Sequence, residues 1–285
     1  MAKLGFVGVG LMGHGMAANL LKAGHQVAVI AHRNRVPVED LVRRGAEEVE
    51  TLADLPLGRE AVFVCVATSE QVAAVVTALE PSLVPGQLVI DTGTSDPEMT
   101  VALAVRLAER GVHLVDAPMG GGAQQAEAGQ LASLVGGRRE DYARVEPWIR
   151  CYSALAVHMG PVGAGHRAKL LNNLLALGQA ALVIEAYRMA RAEGLDWRKL
   201  FEINMGGAAR SGSLERIMVP ALAGDYRGYL FTLENSVKDM SYIVDFAAKG
   251  AHAHSLSQAI RAFFEDAVAN EGGSLMLSEM LRPKS

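Results

Sequence analysis

The first half of the chain alternates between two hydrophobic patterns. Short, nearly continuous apolar runs are typical of buried strands, and longer stretches with an apolar residue every three or four positions are typical of helices. The apolar runs span 4–9, 26–30, 62–67, 88–92, 112–117, 131–135 and 154–158. The helical stretches span 11–23, 70–79, 97–109 and 140–150. Strands that alternate with helices predict a parallel sheet covered by helices on both faces.

The pattern changes after a cluster of glycines and a proline between Gly160 and Gly165. From there the spacing is helical almost throughout. The predicted helices span 166–193, a segment capped by Asp196, 233–248 and 256–270. Because such clusters mark loops and linkers, we predict an α/β domain over residues 1–162 and an all-helical domain over residues 163–285.

Composition argues against several classes of function. The net charge of −4 is small and gives no reason to expect nucleic acid or a membrane surface as a partner. The most apolar segment, 170–184, is interrupted by amides and is too short to span a bilayer. The two cysteines are too few for a disulfide framework, and Cys65 has the surroundings of a buried small hydrophobe. We therefore expect a cytoplasmic protein without a metal.

A glycine-rich loop follows the first predicted strand. Gly8, Gly10 and Gly13 form the pattern G-x-G-x-x-G, and a helix is predicted to begin within it. Such a loop brings the backbone close to a pyrophosphate, and N–H groups at the helix start, here near Leu11 and Met12, can bind the phosphates. The alternative is a turn that only packs tightly. Because the loop lies between a strand and a helix, we predict a dinucleotide site.

The end of the second predicted strand bears on the choice of cofactor. NAD sites usually have an acidic residue there, which binds the ribose hydroxyl. The segment 30–35 has none, and it contains His32, Arg33 and Arg35. The arginines could bind a 2′-phosphate, although an exposed basic turn has the same composition. We expect NADP to be preferred, with NAD possible, and place His32 and Arg33 at this end of the cofactor.

Five segments resemble, in the same order, motifs of the β-hydroxyacid dehydrogenase family, which includes 3-hydroxyisobutyrate dehydrogenase and tartronate semialdehyde reductase. They span 8–20, 91–97, 116–122, 160–173 and 231–240. The second segment has Gly93 where the family usually has serine. The resemblance covers nearly the whole chain. It implies a Rossmann-type, doubly wound parallel sheet followed by an all-α domain for substrate binding and oligomerisation, in a homodimer or homotetramer.

The resemblance also implies further contacts to the cofactor. In the family, the residue matching Thr94 lies near the nicotinamide, and the loop matching Val66, Ala67 and Gln71 lines the cofactor. Considered alone, Thr94 is a plausible helix cap and the loop residues are ordinary packing at a strand end. Lys238 inherits a place beside cofactor and substrate, although Lys-Asp pairs are also common on solvated helix faces.

The third segment resembles the family's D-A-P-V-S-G-G and implies a loop that binds the acid group of the substrate. The N–H groups of Gly121 and Gly122 would form the anion site. This chain departs from the family at Gly120, where serine is usual, and at Gln125, which replaces a glycine. Both departures affect which acid group binds and how large the substrate can be. The residues alone also allow a flexible glycine loop.

The fourth segment resembles the family's catalytic motif without a gap. Lys169, Asn172 and Asn173 are three and four residues apart, so they project from one face of a helix. The resemblance implies that Lys169 is the acid/base and that Asn173 holds the reacting oxygen or the lysine. From the residues alone, a lysine that extends from a helix start into solvent is the simpler interpretation.

Together these segments predict hydride transfer between NAD(P) and a small-molecule partner, a 3-hydroxy acid or its semialdehyde. The altered loop at Gly120 leaves open a reductase of another polar aldehyde, such as a sulfonated one. An alternative from another class is a non-catalytic NADP-binding module used for interaction. Lys169 and Asn173 argue against this module, because such proteins can lose the acid/base.

Overall fold

The computed structural model describes residues 1–250 and 252–283. The chain divides into two compact units, Met1–Lys169 and Leu170–Ser285, called here the first unit and the second unit. Their boundary along the chain lies after Lys169, later than the boundary at residue 162 that the glycine cluster predicts. The division at residue 162 stays a prediction.

The first unit is built on one sheet. Its strands are β1 (Lys3–Val7), β2 (Gln26–Ile30), β3 (Glu47–Val49), β4 (Ala61–Val64), β5 (Leu88–Asp91), β6 (His113–Asp116), β7 (Met119–Gly120), β8 (Leu131–Gly136) and β9 (Ser153–Gly160). Their order is β3-β2-β1-β4-β5-β6-β8-β7, and β9 pairs with β8. Strands β1 to β6 are mutually parallel, and β8 runs antiparallel to β6 and β7. The parallel part has the strand order of a doubly wound dinucleotide-binding domain, which confirms the predicted fold class.

Hydrophobic side chains fill both faces of this sheet. Phe6, Phe63 and Ile90 lie side by side in register and are fully buried in one core cluster. Their neighbours Val62 and Val89 point to the opposite face and belong to a second cluster. This alternation follows from the two-residue period of a strand, and the helices on the two faces exclude water from both clusters.

Six helices accompany the sheet in the first unit. They are α1 (Gly13–Lys22), α2 (Val36–Arg43), α3 (Ser69–Leu79), α4 (Pro97–Ala108), α5 (Ala123–Glu127) and α6 (Arg139–Ile149). The sequence pattern predicts the four longest to within about three residues, as expected for sequence-based boundaries. It misses α2, α5, β3 and β7, which are too short to show a clear hydrophobic period.

The second unit is helical in its described residues. Helix α7 (Ala164–Ala192) begins in the first unit and continues into the second, and α8 (Trp197–Gly206), α9 (Gly212–Ala221), α10 (Leu233–Lys249) and α11 (Ser255–Glu271) follow. The core of the unit contains Ile184, Tyr187, Met240 and Phe264, all fully buried. The sequence pattern misses α9 but predicts the cap of α8 correctly, because the Asp196 side chain accepts the N–H of Arg198 at 2.8 Å.

Helix α7 is longer than the apolar segment 170–184. By length and hydropathy alone it could cross a membrane, a test that the core helices of soluble proteins also pass. Leu170, Leu177 and Ile184 of this helix are buried in the core of the second unit. This burial is typical of a core helix.

Candidate active site

The glycine loop between β1 and α1 has the shape that its sequence pattern predicts. Gly8 has a positive φ of 89°, and a Cβ atom there would lie 2.1 Å from the carbonyl oxygen of Cys65. A Cβ atom on Gly13 would lie 2.1 Å from the carbonyl oxygen of Gly8. Neither position has room for a side chain, so these two glycines allow α1 to begin directly against the sheet.

The outer side of the same loop is open. A Cβ atom on Gly10 would meet no atom within 4 Å. Among the described residues, no acceptor bonds the N–H groups of Leu11 and Met12, which lie at the start of α1. Unbonded donors at a helix N-terminus beside an open glycine fit the pyrophosphate of a dinucleotide.

Cys65, the residue after β4, is partly buried against the core below this loop. Burial raises the pKa of its thiol to about 11. Cys65 is therefore protonated at neutral pH and unreactive, in line with its interpretation as a packing residue.

Residues 32–35, which follow β2, are all exposed, but the two arginines among them differ. Arg35 forms ion pairs with Glu48 at 3.0 Å and with Glu39 at 3.7 Å. Within the part of the chain that the structure describes, Arg33 forms no hydrogen bond or ion pair. Its neighbour His32 is exposed as well. Of the two arginines, Arg33 is therefore the one whose guanidinium is available to bind a phosphate.

The loop after β4 is held by a side chain of the following helix. The N–H of Ala67 donates to Gln71 Oε1 at 3.0 Å, and Thr68 caps α3 by accepting the N–H of Gln71 at 3.3 Å. Val66 is half-buried before this turn. The structure thus brings together the three residues that the sequence assigns to this part of the cofactor site.

The loop after β5 is fixed by Asp91, a buried residue. Its carboxylate accepts the N–H of Gly93 at 2.9 Å and the hydroxyl of Ser95 at 2.8 Å. Thr94 lies between these two anchors. The interpretation of Thr94 as a helix cap is wrong, because the Asp96 side chain caps α4. Among the described residues, no partner bonds the Thr94 hydroxyl, so it is available to a ligand.

The glycine loop after β6 contains the proposed acid-binding residues. Gly121 has a φ of 120°, and a Cβ atom there would lie 2.8 Å from Leu131. Gly120 has more room, since its Cβ atom would have only the Ala132 carbonyl oxygen nearby, at 3.9 Å. The N–H of Gly122 donates to the Oε1 atom of Gln125 at 3.0 Å. One of the two predicted anion donors is therefore occupied by a side chain of the protein itself.

A buried carboxylate anchors the start of α7. Asp116, at the end of β6, accepts the N–H of Gly163 at 2.7 Å and the N–H of His166 at 2.8 Å. A Cβ atom on Gly165 would lie 2.4 Å from the Leu134 carbonyl oxygen, so only glycine lets the helix approach the sheet this closely. A carboxylate at a helix N-terminus is favoured by the helix dipole. Asp116 thereby fixes the first turn of α7, which precedes Lys169.

The side chain of His166 lies in the same buried region. Its Nδ1 atom is 2.8 Å from the Thr100 hydroxyl, and its Nε2 atom is 3.6 Å from a carboxylate oxygen of Asp91. His166, Asp91 and Asp116 thus connect the ends of β5 and β6 with α7. Sequence reasoning does not assign a role to any of the three. The available signal is that both aspartates end apolar strand runs, where a charged residue is unusual.

The second unit contributes a hydrogen-bonded group on α7 and α10. Asn173 is buried and its Nδ2 atom donates to the carboxylate of Asp239 at 2.6 Å. The Nζ atom of Lys238 lies 3.1 Å from the same carboxylate and 5.7 Å from the ring centre of Tyr242. Asn172 is exposed and donates to Asn173 Oδ1 at 3.3 Å. Sequence reasoning misses Asp239, although it directly follows Lys238 in the segment 231–240.

Lys169 and Asn173 lie one turn apart on the continuous helix α7, so their side chains leave the same helix face. Lys169 is half-buried. Among the described residues, no group of three or more His, Cys, Asp or Glu side chains could hold a metal ion. The first unit therefore offers a dinucleotide loop, backbone N–H groups and the Lys169 amine, and the second unit offers the amides of Asn172 and Asn173.

Two family profiles match the chain. The profile described as the NAD binding domain of 6-phosphogluconate dehydrogenase matches residues 3–160. The profile described as the NAD-binding domain of NADP-dependent 3-hydroxyisobutyrate dehydrogenase matches residues 163–284. Between them they account for nearly all of the chain.

Individual proteins similar to this chain belong to the same group of dehydrogenases as these profiles or share their fold. The chain is 31% identical over 281 residues to the NAD-dependent L-serine dehydrogenase of Pseudomonas aeruginosa, covering 98% of this chain and 91% of that one. A 3-hydroxyisobutyrate dehydrogenase from Mycobacterium tuberculosis with L-serine shares the fold, with a TM-score of 0.89 at 24% identity over 99% and 98% of the chains. Psf3 in complex with NADP⁺ and 2-OPP has a TM-score of 0.84 at 26% identity, covering 98% of both chains.

Proposed function

Because the chain belongs to the β-hydroxyacid dehydrogenase family, we propose that it transfers a hydride between NADP and a small 3-hydroxy acid or its semialdehyde, with Lys169 as acid/base. Membership makes the chain an NAD(P)-dependent oxidoreductase, and the non-catalytic module is set aside. The observation that carries the proposal is the anchored start of α7, where Asp116 fixes the turn that precedes Lys169.

The proposed chemistry assigns a separate task to each group. Bound NAD(P) accepts or supplies the hydride. Lys169 takes the hydroxyl proton during oxidation and returns a proton to the carbonyl oxygen during reduction. Asn173 has its Nδ2 atom held by Asp239 at 2.6 Å, and its Oδ1 atom already accepts a hydrogen bond from Asn172 at 3.3 Å. The second lone pair of Oδ1 can accept a hydrogen bond from the Lys169 amine and hold it in place. Asp239 acts through Asn173 and Lys238 and is a positioning residue.

The preference for NADP rests on Arg33. The acidic residue typical of an NAD site is absent after β2, and Arg33 is exposed without a partner among the described residues. The NADP⁺ bound to Psf3 and the NAD-dependence of the L-serine dehydrogenase show that structural neighbours and relatives include users of both cofactors. The uncommitted guanidinium favours NADP for this chain.

We propose that the protein forms a homodimer or homotetramer in the cytoplasm. Leu171, Leu175 and Leu182 of α7 are more than half exposed, and their spacing places them along one side of the helix. Such a contiguous apolar face is typical of a contact between subunits. Light scattering at micromolar concentration should give a mass of two or four chains, and a monomer would contradict the proposal.

The reaction is tested by following NADPH oxidation with a panel of aldehydes. The panel contains the semialdehyde of 3-hydroxyisobutyrate, tartronate semialdehyde, a sulfonated aldehyde and propanal, which has no acid group. We expect kcat/KM to be higher for the two acid semialdehydes than for propanal. Absence of turnover with any acid semialdehyde, in protein that binds NADPH, would show that the substrate class is wrong. Turnover of the sulfonated aldehyde alone would favour the alternative reductase.

A further inference from the structure

One hydrogen bond in the glycine loop distinguishes this chain from the pattern it resembles. The side chain of Gln125, in the first turn of α5, reaches back and accepts the N–H of Gly122 through its Oε1 atom at 3.0 Å. The pattern has a glycine at this position, so no side chain could make this contact. The interaction is a capping bond in its local geometry. Its acceptor, however, occupies the N–H that the loop would offer to a substrate anion.

Gly120 and Gly121 are the other loop residues assigned to the acid group. Gly120 lacks the hydroxyl that serine would provide. Gly121 keeps its N–H, and its φ of 120° restricts the position to glycine. The Gln125 stem packs against the loop, because a Cβ atom on Gly121 would lie 3.3 Å from the Cβ atom of Gln125. The Gln125 side chain therefore lies on the loop itself rather than extending into solvent.

We propose that Gln125 determines the specificity of this site by competing with the acid group of the substrate for the N–H of Gly122. This inference rests on the proposed function. A carboxylate can displace the amide oxygen because a charge-assisted hydrogen bond is the stronger one, but it has to release Gln125 first. The competition lowers the affinity for acids and leaves neutral analogues unaffected, since they have no charged oxygen to place on Gly122.

The neighbouring residue provides a matched control. Gln124 has the same side chain one position earlier, is exposed, and its side chain makes no hydrogen bond to any other described residue. Three variants follow: Gln125→Ala removes the competing acceptor, Gln125→Glu keeps a capping acceptor but adds a negative charge, and Gln124→Ala controls for the loss of an amide on α5.

The kinetic experiment compares an acid with its neutral ester. 3-Hydroxyisobutyrate and its methyl ester are oxidised with NADP⁺ by the four proteins. For Gln125→Ala we expect KM for the acid to fall about tenfold, the size expected when one hydrogen bond to a charged group is gained. The kcat for the acid and both kinetic constants for the ester should stay unchanged. Gln125→Glu should raise KM for the acid by at least as much, and Gln124→Ala should match the unmodified protein. An unchanged or raised KM for the acid in Gln125→Ala would overturn the proposal.

A second readout does not depend on turnover. In the ¹⁵N-labelled holoenzyme with NADP⁺, the amide resonance of Gly122 should shift on Gln125→Ala, and titration with 3-hydroxyisobutyrate should shift it again at about tenfold lower concentration than in the unmodified protein. A Gly122 resonance that shifts neither on the substitution nor on titration with the acid would contradict the role proposed for Gln125. If the Gly122 resonance responds as expected but the protein shows no hydride transfer, the role of Gln125 is supported and the proposed reaction is contradicted.

Discussion

The two arginines after β2 differ in a way that only the structure shows. Arg35 is neutralised by Glu48 and Glu39, whereas Arg33 has no partner among the described residues. We predict that Arg33→Ala raises the dissociation constant of NADPH about tenfold or more, since a hydrogen bond to a charged group is typically worth about 1.5–3 kcal/mol. The constant for NADH should not change. Fluorescence titrations of both cofactors measure this.

Arg35→Ala is the control for that prediction. Its guanidinium is already paired with acidic residues, so its loss should alter the NADPH constant by less than the loss of Arg33. Tighter binding of NADH than NADPH, together with no effect of Arg33→Ala, would contradict the preference for NADP.

Lys169 is the residue on which the reaction depends. Removing a positioned proton-transfer group typically costs about 10²–10⁴ in rate, so Lys169→Ala should lower kcat by that factor. The melting temperature and the affinity for NADPH should stay nearly unchanged, because the lysine is only half-buried. Steady-state kinetics with a parallel melting curve provide the measurement. A folded variant with near-normal kcat would remove Lys169 from the mechanism.

Variants of two other lysines distinguish proton transfer by Lys169 from a general effect of losing a positive charge. Lys199, near the start of α8, is exposed, and Lys199→Ala should leave kcat unchanged. Lys238→Ala should also weaken cofactor binding, because its inherited place is beside the nicotinamide.

Gly120 can be tested by restoring the serine that the family usually has. A Cβ atom at this position would meet only the Ala132 carbonyl oxygen, at 3.9 Å, so Gly120→Ser should fold normally. The added hydroxyl should improve kcat/KM for 3-hydroxyisobutyrate by about tenfold, again the size of one charge-assisted hydrogen bond. If 3-hydroxyisobutyrate is already the best substrate of the unmodified protein in a broad panel, the inference from Gly120 is wrong.

At the scale of elements, the first turn of helix α6 contains a buried carboxylate, Asp141, that makes the stability of the fold depend on pH. Burial opposes ionisation of Asp141, but hydrogen bonds from Arg138 at 2.7 Å and from His113 at 3.0 Å hold its pKa below the usual value. A depressed folded-state pKa stabilises the protein above the unfolded pKa of about 3.9, and this contribution is lost as the pH falls through the folded value.

Asp141→Asn should therefore lower the free energy of unfolding by roughly 1–3 kcal/mol at neutral pH. The difference from the unmodified protein should shrink below about pH 4, where the aspartate becomes protonated. Denaturant titrations at several pH values measure this, with Glu140→Gln as the exposed control in the same turn. A difference that is constant down to the acid limit would show that the charge of Asp141 contributes nothing.

The elements also show what the sequence can and cannot predict. Hydrophobic period alone identifies β2 and α3, and the glycine pattern identifies the loop at Gly8, because these features depend on neighbouring residues. The contacts of Asp116 with Gly163 and His166 join positions about fifty residues apart, which no local pattern encodes. The bond from Gly122 to Gln125 is local, but the sequence shows only that Gln125 is unusual and not where its side chain turns.

At the scale of the whole molecule, each compact unit contains one tryptophan. Trp148 lies in the core of the first unit, and Trp197 packs against the core of the second. The cofactor loops are largely in the first unit, so NADPH should stabilise that unit more. A ligand at one hundred times its dissociation constant adds about 2.7 kcal/mol to the state that binds it.

Two single-tryptophan variants separate the units. Trp197→Phe reports on the first unit and Trp148→Phe on the second. With saturating NADPH, the unfolding midpoint followed through Trp148 should rise more than the midpoint followed through Trp197. Equal shifts in both variants would show that the two units unfold as one cooperative block.

The anchoring of α7 has a consequence for how such genes can recombine. The two profile matches end and begin around residues 160 and 163, so an exchange of halves between relatives would join a foreign α7 to the resident Asp116. Both hydrogen bonds that Asp116 accepts from the start of α7 come from main-chain N–H groups, which every residue except proline carries. An incoming half therefore brings the required donors, as long as it keeps the glycine at 163, whose φ is 85°, and the glycine at 165, which allows the close approach. This junction should accept new helical halves, and with them new substrate pockets, while the placement of the lysine is inherited intact.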